Sequence, residues 1–206
     1  RTVQGELERA IKGLTGEELR VVGAGRTDAG VHALGQVVSF RTESRLAPEV
    51  FRRGLNALLP EDAAILSAEE APPEFDAQRS AIGKWYRYLV RESSNKLALE
   101  RGRVWRLGYG LDLEAMRAGA AHLIGEHDFS SFRSSTCDAK TSVRRMRRIE
   151  IFRRGDGQLA FELWAGGFLK QMARAMVGTL VEVGRGKRAP DEVKAMLEAR
   201  DRTRAG

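Results

Sequence analysis

Apolar positions fall into two periodicities along this chain, and the alternation between them sketches the fold. In residues 2–14, Val3, Leu7, Ala10, Ile11 and Leu14 recur at helical spacing behind Thr2, a residue suited to cap a helix. A second helix is predicted over 47–58, with Pro48 in its first turn, Val50, Phe51, Leu55 and Leu58 on one face, and Pro60 to stop it. A third runs from the cap Asp112 to residue 124 and is closed by Gly125; the strongest covers 168–183, with Lys170 and Arg174 one turn apart on its flank; a short one occupies 191–200. Strands are predicted at 19–22, 36–40, 63–68, 84–91, 141–152 and 158–164, the last two joined by a turn at Gly155-Asp156-Gly157. In 84–91, alternation puts Tyr86, Tyr88 and Val90 on one face and Trp85, Arg87 and Leu89 on the other. Residues 96–103 read as a basic loop. The mixture points to an α+β fold with antiparallel pairing.

Composition narrows the class. At 206 residues and 42% apolar, the chain can bury one large core or two small ones, and it shows neither a long apolar run nor a leader pattern at its start. This predicts a cytoplasmic protein with no membrane partner. Cys137 is the only cysteine, so no intramolecular disulfide forms, and the three histidines at 32, 122 and 127 lack metal-ligand spacing with it. His127 and Asp128 are adjacent and cannot easily converge on one atom as a catalytic pair. The net charge is +7, and all but seven of the 35 basic residues are Arg. Planar guanidinium groups hold phosphate bidentately and stack on bases, which suits RNA. A GC-rich genome or heat adaptation would enrich Arg equally well. The run Arg144, Arg145, Arg147, Arg148 fits either a solvated edge strand or a phosphate-contacting face.

The most unusual stretch is 23–32, Gly-Ala-Gly-Arg-Thr-Asp-Ala-Gly-Val-His. Glycines allow tight turning and close approach by another molecule, so Asp28 is either a turn cap or an acid presented to a substrate. The stretch is not a phosphate-binding loop, since no Gly-Lys-Ser/Thr follows, and its third glycine is misplaced for a dinucleotide fingerprint.

This string resembles the signature of the tRNA pseudouridine synthase A family, in which the Asp is catalytic. Other segments resemble the family in the same order: Asn56 to Pro60, Phe75 to Tyr88, Asp128-Phe129-Ser130-Ser131-Phe132, and Gly167 to Gly178. The resemblance implies two similar halves, 1–104 with the Asp loop and the Tyr strand and 105–206 with the Arg helix, carrying antiparallel or mixed sheet and flanking helices about a central basic cleft. It implies isomerisation of uridine to pseudouridine in the anticodon stem-loop of tRNA, without cofactor or metal, by a homodimer. Asp28 would be the nucleophile, Tyr86 would pack on the target base, and Arg174 would pair with Asp28 in a buried ion pair. Arg26 would hold the RNA as the base leaves its stack, and Thr27, His32, Arg79, Phe132, Arg133, Arg144 and Lys170 would be further RNA contacts. The chain departs from the family at Gln78 and Trp85, where Arg is usual or frequent. It opens on a helix that a strand precedes in the family and stops before the family's closing strand, so a fragment is expected. Two other classes fit the residues: a non-catalytic basic RNA-binding protein, and an Asp-dependent hydrolase or phosphotransferase, which would need a metal cluster.

Overall fold

The computed structural model describes residues 1–205, which form two compact units, Arg1–Ala81 and the remainder from Ile82. The first unit is two helices and a small antiparallel ribbon. Helix α1 (Val3–Thr15) begins where Thr2 Oγ1 accepts the Gly5 N–H at 3.1 Å and ends at Gly16 in the left-handed conformation. Strands β1 (Val22–Gly23) and β2 (Val38–Ser39) pair across the glycine-rich stretch, both shorter than the runs that predict them. Helix α2 (Pro48–Leu58) buries Phe51 and Leu55 against Leu7, Ala10 and Ile11 of α1, and Phe40 tilts onto Phe51 at 5.8 Å. Val50 and Leu58, read as part of that face, are exposed. Residues 63–68 are not a strand: the Asn56 side chain takes both the N–H and the C=O of Ile65, leaving neither for a ladder.

The second unit is a five-stranded sheet with helices on one face. Its strands are β3 (Lys84–Glu92), β4 (Trp105–Leu107), β5 (Gly125–Asp128), β6 (Val143–Arg153) and β7 (Gln158–Ala165), in the order β4-β3-β7-β6-β5. Only β3–β4 is parallel. Because β3 pairs with β7 along nearly its whole length, the strand that carries Tyr86 belongs to this unit; the division falls after Ala81, not after residue 104. Helices α3 (Leu113–Ala121), α4 (Met172–Gly184) and α5 (Glu192–Ala199) cover the face formed by Val90, Leu159, Phe161, Leu163, Met146, Ile149 and Ile151.

Three local expectations change. Helix α3 starts at its predicted cap, Asp112, which accepts the Ala115 N–H, but it stops at Ala121, and Gly125 at φ +117° opens the unanticipated strand β5. Strand β6 is not an edge: β7 and β5 flank it. Arg145 and Arg148 lie on its open face, with a bulge at Arg147 between the pairs Met146–Ala165 and Arg148–Trp164, whereas Arg144 shares the face of Met146. The extra residue restores the alternation, so Met146, Ile149 and Ile151 all face inward despite the three-residue step between the first two. Helix α4 starts four residues late. Gln171 at φ 60° turns the chain immediately before it, so Lys170 precedes the helix and does not share its flank with Arg174.

Candidate active site

The glycine-rich stretch forms a turn fastened at its base. The Ala24 N–H donates to the Val37 carbonyl and Gln36 Nε2 donates to the Gly25 carbonyl, both at 2.8 Å. Across the tip the Val31 N–H donates to the Asp28 carbonyl at 3.1 Å, and Gly30 takes φ +79°, a conformation that a side chain would strain. Arg26, Thr27, Asp28 and His32 are all exposed on this turn. The acid is thus displayed on a short loop whose ends are tied to each other.

The second unit carries the other two residues assigned to catalysis. Tyr86 is half-buried on the helix-covered face of β3, with the Phe168 ring edge-on at 4.8 Å. Phe168 lies in the link between β7 and α4, not on the helix that the sequence pattern suggests. Arg174 is exposed in the first turn of α4. Sequence reasoning expects a buried ion pair between Asp28 and Arg174; each of the two residues is exposed, so neither pays the desolvation of a buried charge.

The remaining predicted contacts separate into surface groups and structural ones. Arg79 is exposed, its backbone N–H held by Asp76 Oδ1. Arg133 is half-buried and donates to Ser142 Oγ at 2.9 Å, and Lys170 Nζ donates to Thr136 Oγ1 at 2.8 Å while the Lys170 carbonyl accepts the Ser134 N–H. Arg144 is half-buried, and its Nη1 donates to the carbonyls of Thr141 and Val143. Phe132 is wholly buried against Phe129, so it is a core residue and not a surface for RNA. Burial pushes the Cys137 thiol up, but N–H groups of Ala139 and Lys170 and the Arg133 guanidinium outweigh it, leaving the thiol below its usual range. Lys84 is half-buried on the same face of β3 as Tyr86, a placement that simple alternation sets. No group of three or more His, Cys, Asp or Glu that could hold a metal occurs among the described residues.

A sequence profile of the family described as tRNA pseudouridine synthase matches residues 1–78 and 120–206. The chain is 47% identical over its whole length to tRNA pseudouridine synthase A of Acetivibrio thermocellus, covering 84% of that protein. It is 48% identical to the protein of the same name from Maridesulfovibrio salexigens, again over its whole length and 76% of that protein, and 43% identical to the one from Geotalea uraniireducens. The chain belongs to the tRNA pseudouridine synthase family. The profile spans that match this family include the Asp28 turn and α4 with Arg174; Tyr86 lies between them, inside the full-length similarity to the relatives. Among the described residues no helix is long and apolar enough to cross a membrane.

Proposed function

We infer that this protein isomerises uridine to pseudouridine in tRNA, at uridines of the anticodon stem-loop, with Asp28 as the reacting carboxylate. The observation that carries the reading is the fastened turn that displays Asp28 between Arg26 and His32, in a chain whose relatives are synthases of this kind. The reaction breaks the N1–C1′ bond and forms a C5–C1′ bond; the C5 proton leaves and N1 gains one. Nothing is oxidised or reduced, so the residues need only supply a nucleophile or an electrostatic partner for the migrating sugar, plus a pocket for the extruded base. Attack at C6, attack at C1′ and a glycal intermediate all require an ionised carboxylate at the base. Tyr86 would offer its ring to the uracil, and Arg174 would supply a planar guanidinium to the reaction.

The RNA would be held by basic surface residues, and the enzyme would work as a homodimer in the cytoplasm. Arg26, Thr27, His32, Arg79, Arg133, Arg144 and Lys170 would contact the RNA outside the reacting base. Incubating the protein with unmodified tRNA and mapping pseudouridine by carbodiimide tagging tests the reading. Product in the anticodon stem-loop, lost in Asp28→Asn, supports it; tight tRNA binding with no product would leave a non-catalytic RNA-binding protein.

A further inference from the structure

At one end of the helix-covered face of the sheet two cations lie near each other. By alternation Lys84 lies on the same face of β3 as Tyr86, and Arg144 on the same face of β6 as Met146. Between them runs the end of β7: Ala165 is the register partner of both Lys84 and Met146, and the Gly166 N–H donates to the Arg145 carbonyl. The Cα atoms of Lys84 and Arg144 are therefore about two strand spacings, ~10 Å, and one alternation step apart, within reach of two long side chains meeting over the β7 end. That end is Ala165-Gly166-Gly167. A Cβ placed on Gly166 meets nothing within 4 Å, and one on Gly167 would lie 3.8 Å from Arg144 Nε, so the space above the glycines is open and lined by the guanidinium. Phe168, the next residue, has its ring against Tyr86.

What makes this pair unusual is the missing counter-charge. Lys84 is half-buried, and among the described residues no hydrogen bond or ion pair reaches its Nζ. Burial, and then Arg144, hold its amine below the ordinary lysine range. The nearby carboxylates of β6 and β7, Glu150 and Glu162, lie on the opposite face and are already paired with Arg148 and Arg87. Two cations partly withdrawn from water without an acid cost folding free energy, which a bound anion would return.

We propose that Lys84 and Arg144 form an anion site beside Tyr86 that takes a backbone phosphate of the bound RNA flanking the target uridine. The proposal rests on the synthase reading for the identity of its ligand, and binding rather than turnover tests it. The dissociation constant of a tRNA anticodon stem-loop is measured against salt for wild type, Lys84→Gln, Arg144→Gln and Lys84→Arg, each first shown to melt as a folded protein. Each Gln variant should lose affinity and flatten the log–log salt slope by about 0.7–0.9, one phosphate contact. Lys84→Arg should keep the wild-type slope. A stem-loop carrying neutral methylphosphonates at the phosphates flanking the target should erase the difference between wild type and Lys84→Gln. An unchanged slope in Lys84→Gln, or a difference that survives neutralisation of those phosphates, overturns the proposal. Absence of pseudouridine in the wild-type reaction would sink the synthase reading while leaving the binding result intact.

Discussion

Asp28 is an exposed acid in a protein of net charge +7. On a polyanion-binding surface such a residue repels the ligand, so its removal should not weaken binding. Asp28→Ala is expected to abolish pseudouridine formation while tRNA affinity stays within about threefold or improves, as gel-shift and turnover assays in parallel would show. Arg174 gives a second expectation. Its exposure means that Arg174→Ala should cost at most about 1 kcal/mol in urea unfolding, against the 3–5 kcal/mol of a broken buried pair. Turnover should nevertheless fall strongly, with partial recovery in Arg174→Lys, which restores the charge but not the planar fork. A third residue-level prediction concerns Asp128. The Ser130 hydroxyl donates to its Oδ1 at 2.6 Å and, with the Ser130 N–H and Arg200, holds the carboxyl below its ordinary 3.8 despite partial burial. A depressed carboxyl pKa stabilises the fold above the unfolded value and stops doing so as pH falls through the folded one. Ser130→Ala should therefore lower stability by about 1 kcal/mol at pH 7, with the difference shrinking below pH 4. The turn that displays Asp28 was legible because its glycines sit in a short string, and the face of Tyr86 because strand alternation sets it. Phe132 was misread because its burial depends on how Phe129 and the helices close over it, which no local pattern encodes.

At the scale of elements, the bulge at Arg147 makes a sharp test of how sequence sets register. Deleting Arg147 leaves Met146, Arg148, Ile149, Glu150 and Ile151 in strict alternation, so every core residue of β6 keeps its face. Deleting Glu150 instead would turn Ile151, 3% exposed, to the open side. Circular dichroism should show a cooperative melt for the first deletion and a lost or strongly lowered transition for the second. Gly83 offers a complementary prediction: a Cβ there would lie 2.6 Å from Trp164 Nε1 and 3.1 Å from the Ala165 carbonyl oxygen, so Gly83→Ala should destabilise the β3–β7 ladder by about 1–3 kcal/mol in thermal unfolding. The helices were legible at their starts where a cap announces them, as at Thr2 and Asp112. They were misjudged where the chain turns without a glycine, as at Gln171, whose left-handed conformation has no sequence signature. The bulge was hidden for a related reason: Met146 and Ile149 are three apart, a spacing that fits helix as readily as a strand with one extra residue. Strand β5, four residues long with a half-buried pattern, is too short for alternation to declare itself.

The whole molecule divides after Ala81 because the partners of β3 lie some 75 residues further on, as in Arg87 and Glu162. Local reading grouped the strand with the segment before it, since only the long-range ladder shows where it belongs. Charge, by contrast, was legible at this scale from the start. Much of the cationic surplus is exposed or half-buried, at Arg26 and Arg79 in the first unit and at Arg133, Arg144, Lys170 and Arg174 in the second. Some of those groups are spent internally: Arg133 on Ser142, Lys170 on Thr136 and part of Arg144 on its own strand. Hydrogen bonds to neutral partners leave a cation's charge uncompensated, so these residues can still neutralise phosphate. Arg87, Arg148 and Arg153 cannot do so at comparable strength, because Glu162, Glu150 and Glu92 already face them. The count of available cations then sets the salt dependence. With roughly 4–8 phosphates contacted at about 0.9 each for duplex and less for single strands, the logarithm of tRNA affinity should fall with a slope near −4 to −7 against the logarithm of salt. Chelation should leave both the affinity and the turnover unchanged once the tRNA is folded. Replacing Arg148 by Gln should leave the slope as it is, whereas the triple change of Arg26, Arg79 and Lys170 to Gln should lower it by about two to three. A flat titration, or an equal loss from Arg148 and from the unpaired cations, would mean that net charge and not its placement governs the encounter with RNA.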